Sequence, residues 1–396
     1  MSSLLIAADG HYYRDSKDCV YVESVFTSTF YSRYLDSFDE VYVLGRMEKV
    51  DNPPVGKKRA DGPGIHFVDL LPGRGVEGLL KTGVANRHII SSWVEKVDSV
   101  IARVPGVIAN MTASACEKKK IPYAVEVVVD PWEYFAKGVH GGLLRPLIRV
   151  MWTARLKKSC KCAIGVSYVT ERYLQHRYPC SALLGDPTSF TEYYSSVDLP
   201  DDCFSKPRTY GELNQITIVH AANSFSGNAK GHYTLFDAIA TMRGDGYDAR
   251  LVCIGDGPSI GDYRLYVKRL GIERYVTFTG RLPDGQAVRE QMSSADLFVF
   301  PTKAEGLPRV LLEAMAEGLP CLSSPVCGIP EVLEAHYLFD PNDSGAFAKC
   351  IERLASSPAE LSQMSEKNIA VARRFARSVL QPKRSSFYQR VKQCGR

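Results

Sequence analysis

No apolar run in this sequence reaches the ~18 to 20 residues needed to cross a bilayer, so no spanning helix is expected. The residues before the strand-like Leu4-Leu5-Ile6-Ala7-Ala8 lack the basic stretch and small-residue cleavage site of a secretory leader, and the expectation is a cytosolic protein. Internal repeats and low-complexity tracts are also missing, which sets aside repeat arrays and disordered scaffolds. The eleven cysteines, scattered from Cys19 to Cys394, do not form a framework. Their number is odd, and the close pair Cys160 and Cys162 has no second pair to complete a zinc site, so reduced thiols are expected. Charge of one sign is scarce as well. A net +5 excludes a nucleic-acid-binding signature; it suits phosphate-bearing substrates or an anionic membrane surface, or carries no meaning.

What is present is an ordinary globular composition, 45% hydrophobic and 23% charged, over 396 residues, enough for two or three domains. Short apolar runs alternate with amphipathic segments of helix length, the pattern of parallel sheets covered by helices. In the first half strands are expected at 4–8, 40–44, 64–68, 106–110, 123–129 and 162–166, with helices at 88–103 and 143–159. Periodicity fades over 179–211, a domain boundary rich in Pro, Ser, Asp and Thr. A second series follows, with strands at 216–221, 249–254, 275–279, 297–300 and 320–323 and helices at 233–242, 263–270, 284–292 and 309–317. The sequon Asn110-Met111-Thr112 is expected to face inward at a strand end. Two such halves imply a cleft, and open α/β sheets bind ligands beyond the carboxyl ends of their strands.

The most informative stretch runs from Leu297 to Ala316. A buried strand ends at Pro301, a loop carries Glu305, and a helix starts near Pro308 or Arg309, since proline suits a first turn. The free amides and positive end of that helix form a site for a diphosphate. Glu313 lies in the second turn, where a carboxylate can accept hydrogen bonds from a ribose diol. On local physics alone an equal alternative stands: Glu305 caps the helix and Glu313 lies on a solvated face.

This stretch resembles the acidic signature of the retaining glycosyltransferases of family 4 (glycosyl transferases group 1), in which seven residues separate two glutamates. Glu305 and Glu313 have that spacing, followed by Ala314-Met315-Ala316 and Gly318-Leu319-Pro320. The likeness extends back to Gly255-Asp256-Gly257-Pro258 and forward to Gly328-Ile329-Pro330-Glu331, covering about 216–340 well and the N-terminal half loosely. It implies that Glu305 lies beside the donor sugar and Glu313 holds the ribose. It further implies that Gly306, Leu307, Pro308, Arg309 and Val310 surround the diphosphate, Gly255 and Gly257 form a tight turn near the nucleotide, and Arg281 and Leu282 meet the base. Lys230, at a helix start, would neutralise the leaving diphosphate; a solvated lysine is the plain alternative.

The sequence departs from the family in three places. The arginine that usually precedes the lysine is missing from 222–229, where Asn223 and Ser224 offer hydrogen bonds without charge, and Arg309 is the candidate replacement. Cys327-Gly328 stands where a double glycine is common, and Pro308 stands where many relatives have glycine and removes one amide. In the first half, Asp130, in Asp130-Pro131-Trp132-Glu133, is a candidate catalytic-side residue that positions acceptor or sugar, or else caps the next turn. Asp9-Gly10-His11-Tyr12-Tyr13-Arg14 follows the first strand, where the family's loop faces the acceptor, or is a surface loop. Ser167 is assigned a helix cap only. Arg145, Arg149, Arg155, Lys157, Lys158 and Lys161 spread round a helix that, by resemblance, would give a peripheral membrane contact through 145–161 at the inner face.

The resemblance implies two Rossmann-like domains facing a cleft (GT-B): an acceptor domain over 1–200, a nucleotide-sugar domain over 211–375, and a terminal helix over 376–396 crossing back to the first. The implied activity is retaining transfer from a nucleotide-diphosphate sugar to a glycan or lipid-linked saccharide in cell-surface polysaccharide biosynthesis, with no cofactor, no essential metal and no nucleic-acid partner. Two rivals share the architecture: a nucleotide-sugar-modifying enzyme such as an epimerase, and a non-catalytic binding or scaffold member of a glycan-assembly complex.

Overall fold

The computed structural model describes residues 1–73, 75–139, 142 and 144–396; Leu143, the expected start of the 143–159 helix, lies outside them. The first sheet contains β1 (Ser3–Arg14), β2 (Val20–Val22), β3 (Glu40–Lys49), β4 (Lys58–Arg59), β5 (Ile65–Leu70), β6 (Ser99–Val104), β7 (Ala124–Val127), β8 (Gly165–Tyr168) and β9 (Phe190–Tyr193). Its parallel body runs β5-β3-β1-β6-β7-β8-β9, while β2 pairs antiparallel with the far end of β1 and β4 with β2. Leu4, Leu5, Ile6, Ala7 and Ala8 are all fully buried, as expected of a strand covered on both faces.

Two expected elements are displaced. The strand at 106–110 is the start of the helix Val107–Lys119, and the helix expected at 88–103 gives way to β6. The apolar run Val107-Ile108-Ala109 reads equally as strand or helix by pattern. The contact that decides is remote in sequence: the Asp9 carboxylate accepts from the Ile108 amide at 3.1 Å, satisfying a helix N-terminus whose own N-cap is Gly106. The Asn110-Met111-Thr112 sequon is therefore helical rather than at a strand end. In β6, Arg103 interrupts the apolar pattern because it is neutralised inside the fold. The stretch from Asp9 to Arg14 is also strand, with a register shift against β3 between Ala7 and His11. Strand β9 falls within the apparent boundary at 179–211.

The inner partner of Arg103 is Glu126 on β7, which is 2% exposed. Its carboxylate also accepts from the hydroxyls of Tyr34 at 3.1 Å, Tyr194 at 3.0 Å and Tyr388 at 3.0 Å. These tyrosines come from the helix Ser28–Leu35, the segment after β9 and the last helix, Arg377–Gln393. One buried carboxylate thus ties the end of the chain onto the first sheet, and burial together with Glu126 pushes the Tyr34 and Tyr388 hydroxyls upward in pKa. Arg384 strengthens this attachment by donating to the carbonyls of Ser195 and Val197, each at 2.7 Å.

The second sheet contains β10 (Ile216–Ala221), β11 (Ala249–Ile254), β12 (Val276–Gly280), β13 (Leu297–Phe300) and β14 (Cys321–Ser323), all parallel in the order β12-β11-β10-β13-β14. The first strand lies centrally, so the order reverses beside β10, and the loops after β10 and β13 open at that switch point. Mixed α/β architecture with two parallel-bodied sheets is the observed fold.

Removing Glu126 would leave the Arg103 guanidinium buried without a counter-charge, a change that costs about 3–5 kcal/mol. We expect Glu126→Ala to lower unfolding stability by that order in denaturant titration, and Tyr388→Phe by only about 1 kcal/mol.

Candidate functional site

Two loops after neighbouring strands build the site. The β10 loop delivers Lys230, and Gly231, at a φ of 75°, presses against Pro301 so closely that a Cβ would collide with the Pro301 carbonyl oxygen. The Lys303 amide donates to the Ala229 carbonyl at 2.9 Å, and the Thr302 hydroxyl to the same carbonyl at 3.3 Å. So stitched, the loops bring the Lys230 ammonium into an ion pair with Glu305, whose Oε1 also lies 3.4 Å from the Thr302 hydroxyl. The capping alternative for Glu305 is ruled out here: Pro308 is the N-cap of the helix Arg309–Ala316, and no side chain caps it. Its first-turn amides therefore stay available to an anion. Glu313, half-buried, makes no side-chain hydrogen bond or ion pair among the described residues, and neither does Arg309.

The remaining donor-side candidates fall into three groups. Asn223 and Ser224 are exposed at the carboxyl end of β10. Gly255 and Gly257 lie against the backbones of Ala222 and Phe225, where side chains would not fit. Leu282 packs into the main core, and the Arg281 side chain reaches across to Glu23 of the first half at 2.9 Å. Gly306, Leu307 and Pro308 are buried and Val310 is half-buried. A Cβ at Gly306 would collide with the Val128 carbonyl oxygen, so the glutamate loop sits directly on the carboxyl end of β7.

Asp130 lies on the far side of this contact and is fully buried. It caps the short helix Pro131–Tyr134 by accepting from Trp132 N at 2.8 Å, takes the Tyr178 hydroxyl and pairs with Arg177 at 2.9 Å. It is therefore walled off from a substrate in this arrangement, and the capping alternative describes it. Glu133, three residues on and not singled out from sequence, accepts from the Tyr173 hydroxyl at 2.6 Å, and burial raises its pKa against the lowering effect of that bond. A second unforeseen residue is Glu331, whose carboxylate accepts from the amides of Glu171, Arg172 and Tyr173 at 2.6, 3.0 and 2.6 Å, bridging the two halves. Cys327 takes a φ of 48°, the conformation a glycine would adopt more readily.

The helix Arg145–Cys162 sorts its charges more clearly than the sequence did. Arg145 and Arg149 turn toward the 130–135 segment, donating to the carbonyls of Phe135 at 2.8 Å and Trp132 at 2.6 Å. Arg155 and Lys158 pair with Glu117. Its outward face is instead apolar at Leu144, Leu147, Val150 and Met151, then basic at Lys157 and Lys161. Among the described residues no helix is long and apolar enough to cross a membrane.

Behind Lys230 lie two imidazoles, His220 and His232, with ring centroids 4.5 Å apart. His220 donates from Nδ1 to the Val299 carbonyl at 2.9 Å, while its Nε2 and both His232 nitrogens have no hydrogen-bond partner. Burial, with Lys230 adding to it, pulls His220 down to about 4 and His232 to about 2. The unfolded chain binds protons below about pH 6.5 that the folded state refuses. Stability is therefore level above that pH and falls as the pH drops through the window toward 4. Thermal melts should show His232→Phe losing less stability than the parent between pH 6.5 and 5; equal slopes would contradict the assignment.

Comparison with known proteins bears on family and fold. The family model described as glycosyl transferases group 1 matches residues 215–357. Protein CapJ of Staphylococcus aureus is 29% identical over 328 residues, covering 83% of this chain and 80% of CapJ. The putative teichuronic acid biosynthesis glycosyltransferase TuaC of Bacillus subtilis is 32% identical over 296 residues, covering 71% of this chain and 69% of TuaC. Among solved structures, a sucrose-phosphate synthase from Thermosynechococcus elongatus superposes with a TM-score of 0.71 at 17% identity over 99% of both chains, which establishes the GT-B fold. The chain belongs to the glycosyl transferases group 1 family and is a glycosyltransferase.

Proposed function

We propose that this protein is a retaining glycosyltransferase that moves a sugar from a nucleotide-diphosphate sugar to a glycan or lipid-linked saccharide in cell-surface polysaccharide biosynthesis. The observation that carries the reading is the Lys230–Glu305 ion pair beside the uncapped start of the Arg309–Ala316 helix. That pair offers a cation suited to a diphosphate and a carboxylate suited to a sugar, side by side. TuaC, by its description a teichuronic acid glycosyltransferase, supports the polysaccharide setting.

In this reading the diphosphate lies on the free amides at the helix start with Arg309 beside it, the ribose hydroxyls donate to Glu313, and Glu305 faces the sugar. The bond from the anomeric carbon to the phosphate oxygen breaks, and the electron pair leaves with the diphosphate. Lys230 shifts from Glu305 toward that growing charge and stabilises it in a partly desolvated site. The acceptor hydroxyl bonds to the anomeric carbon on the same face and passes its proton to the departing diphosphate. No step calls on a metal ion or a cofactor. The apolar face of Leu144, Leu147, Val150 and Met151, followed by Lys157 and Lys161, fits the surface of an anionic bilayer at the cytosolic side.

A thermal-shift screen of nucleotide sugars, followed by assay of nucleotide release with saccharide acceptors, tests the donor half. Glu305→Ala and Lys230→Ala should each cut transfer by about 100-fold or more with the fold intact, and Arg309→Ala should weaken donor binding. Full activity in Glu305→Ala would remove the site assignment. Donor binding by the parent without release or epimerisation would favour a non-catalytic member, the reading left open by the missing arginine. Separately, Leu147→Glu with Met151→Glu should abolish co-sedimentation with anionic liposomes; unchanged sedimentation would remove the membrane contact.

A further inference from the structure

Beyond the donor site, two guanidinium groups converge on one aromatic ring, and a third lies one helical turn away. Arg149 lies over Trp132 with 3.8 Å from its Cζ to the ring centroid, and Arg177 stands 5.8 Å from the same ring. Arg145, one helical turn before Arg149, donates to the Phe135 carbonyl. Like charges gathered this closely repel one another. Accordingly burial, Arg145 and Arg177 all pull the Arg149 guanidinium below its ordinary pKa.

Two carboxylates face the group, and neither pairs with Arg145 or Arg149. Asp130 is buried and taken up by Arg177 and Tyr178. Glu133 gives Oε1 to Tyr173, and its Oε2 is buried without a hydrogen-bond partner. Arg145 and Arg149 donate to the carbonyls of Phe135 and Trp132 and make no ion pair among the described residues, so no carboxylate of the chain neutralises their charge. Trp132 is 37% exposed, a large aromatic left beside that charge.

The position matters as much as the charge. Glu133, next to Trp132, accepts from the Tyr173 hydroxyl, and the Tyr173 amide donates to Glu331 of the second half. Gly328, three residues before Glu331, donates its amide to the Gly306 carbonyl at 2.9 Å, beside Glu305. On the other side the cluster adjoins the exposed Leu144, Leu147 and Met151. We propose that Arg149 and Arg177 over Trp132, with Arg145 one helical turn away, form an acceptor subsite for a phosphate or diphosphate ester, apart from the diphosphate site of the donor. This inference rests on the transferase reading and specifies its acceptor: a saccharide bearing a phosphoryl group near the transferring hydroxyl. Guanidinium groups suit it because each can offer two parallel N–H donors to phosphate oxygens.

The phosphoryl group can come from a lipid diphosphate or from a soluble sugar phosphate, and the probes separate the two. Inorganic pyrophosphate, farnesyl diphosphate and farnesol are titrated by calorimetry against the full chain, with the donor site saturated by the nucleoside diphosphate found in the donor screen. Pyrophosphate should bind alongside the nucleotide, and Arg145→Gln with Arg149→Gln should weaken it about tenfold or more, with Arg149→Lys recovering part of the loss. Tighter binding of farnesyl diphosphate than of pyrophosphate identifies a lipid source, and equal binding a soluble one. Both nucleotide-induced melting shifts should persist in the variants, showing that the fold and donor site survive. Unchanged pyrophosphate affinity in the double variant, or pyrophosphate binding abolished by nucleotide in the parent, overturns the subsite. Nucleotide-sugar cleavage that persists alongside either result leaves the transferase reading standing, so the two failures are distinguishable.

Discussion

The site depends on one close approach: the backbone at Gly306 lies against the Val128 carbonyl at the carboxyl end of β7, with no space for a Cβ. Parallel sheets project their loops from that edge, so two sheets set edge to edge bring both groups of loops together. Other contacts hold the same arrangement. Glu331 supplies its carboxylate to three amides at 171–173, and Arg281 pairs with Glu23. The Arg281 side chain thus serves the joint between the halves. The carboxylate on 171–173 also offsets the positive end of the short helix that follows.

Charge is distributed in keeping with anionic substrates. On the second-domain side Lys230 is held by Glu305, and among the described residues Arg309 and Glu313 make no side-chain hydrogen bond or ion pair. The imidazoles of His220 and His232 stay neutral beneath, so they add no competing positive charge to the lysine's surroundings. On the first-domain side the arginines around Trp132 gather positive charge at the mouth, while Asp130 and Glu133 lie toward the interior. Each wall thus carries its own cations.

Much of the second half was legible because its elements obey local rules. Strands Ile216–Ala221, Ala249–Ile254 and Leu297–Phe300 are apolar runs bounded by turn residues, and they fall where the pattern placed them. The strand, loop and helix that carry Glu305 and Glu313 are consecutive, and they too fall where the pattern placed them. The first half was harder, since its structure depends on distant partners. Arg103 sits in a strand only because Glu126 is beside it, and 107–119 is a helix whose first amides are met by Asp9. Glu331 and the Arg149–Trp132 contact join residues far apart in the chain, and no single-sequence pattern marks such pairs. Asp130 drew notice as a polar residue after a strand, yet Tyr178 and Arg177 enclose it.

The central claim is that the start of the Arg309–Ala316 helix, Lys230 and the two glutamates form one donor site. A crystal structure of the full chain with a bound nucleoside diphosphate tests it most directly. The account predicts the diphosphate on the amides that open that helix, Lys230 released from Glu305 onto the terminal phosphate, and both ribose hydroxyls on Glu313. A nucleotide bound elsewhere, with the Lys230–Glu305 pair unbroken, would contradict it.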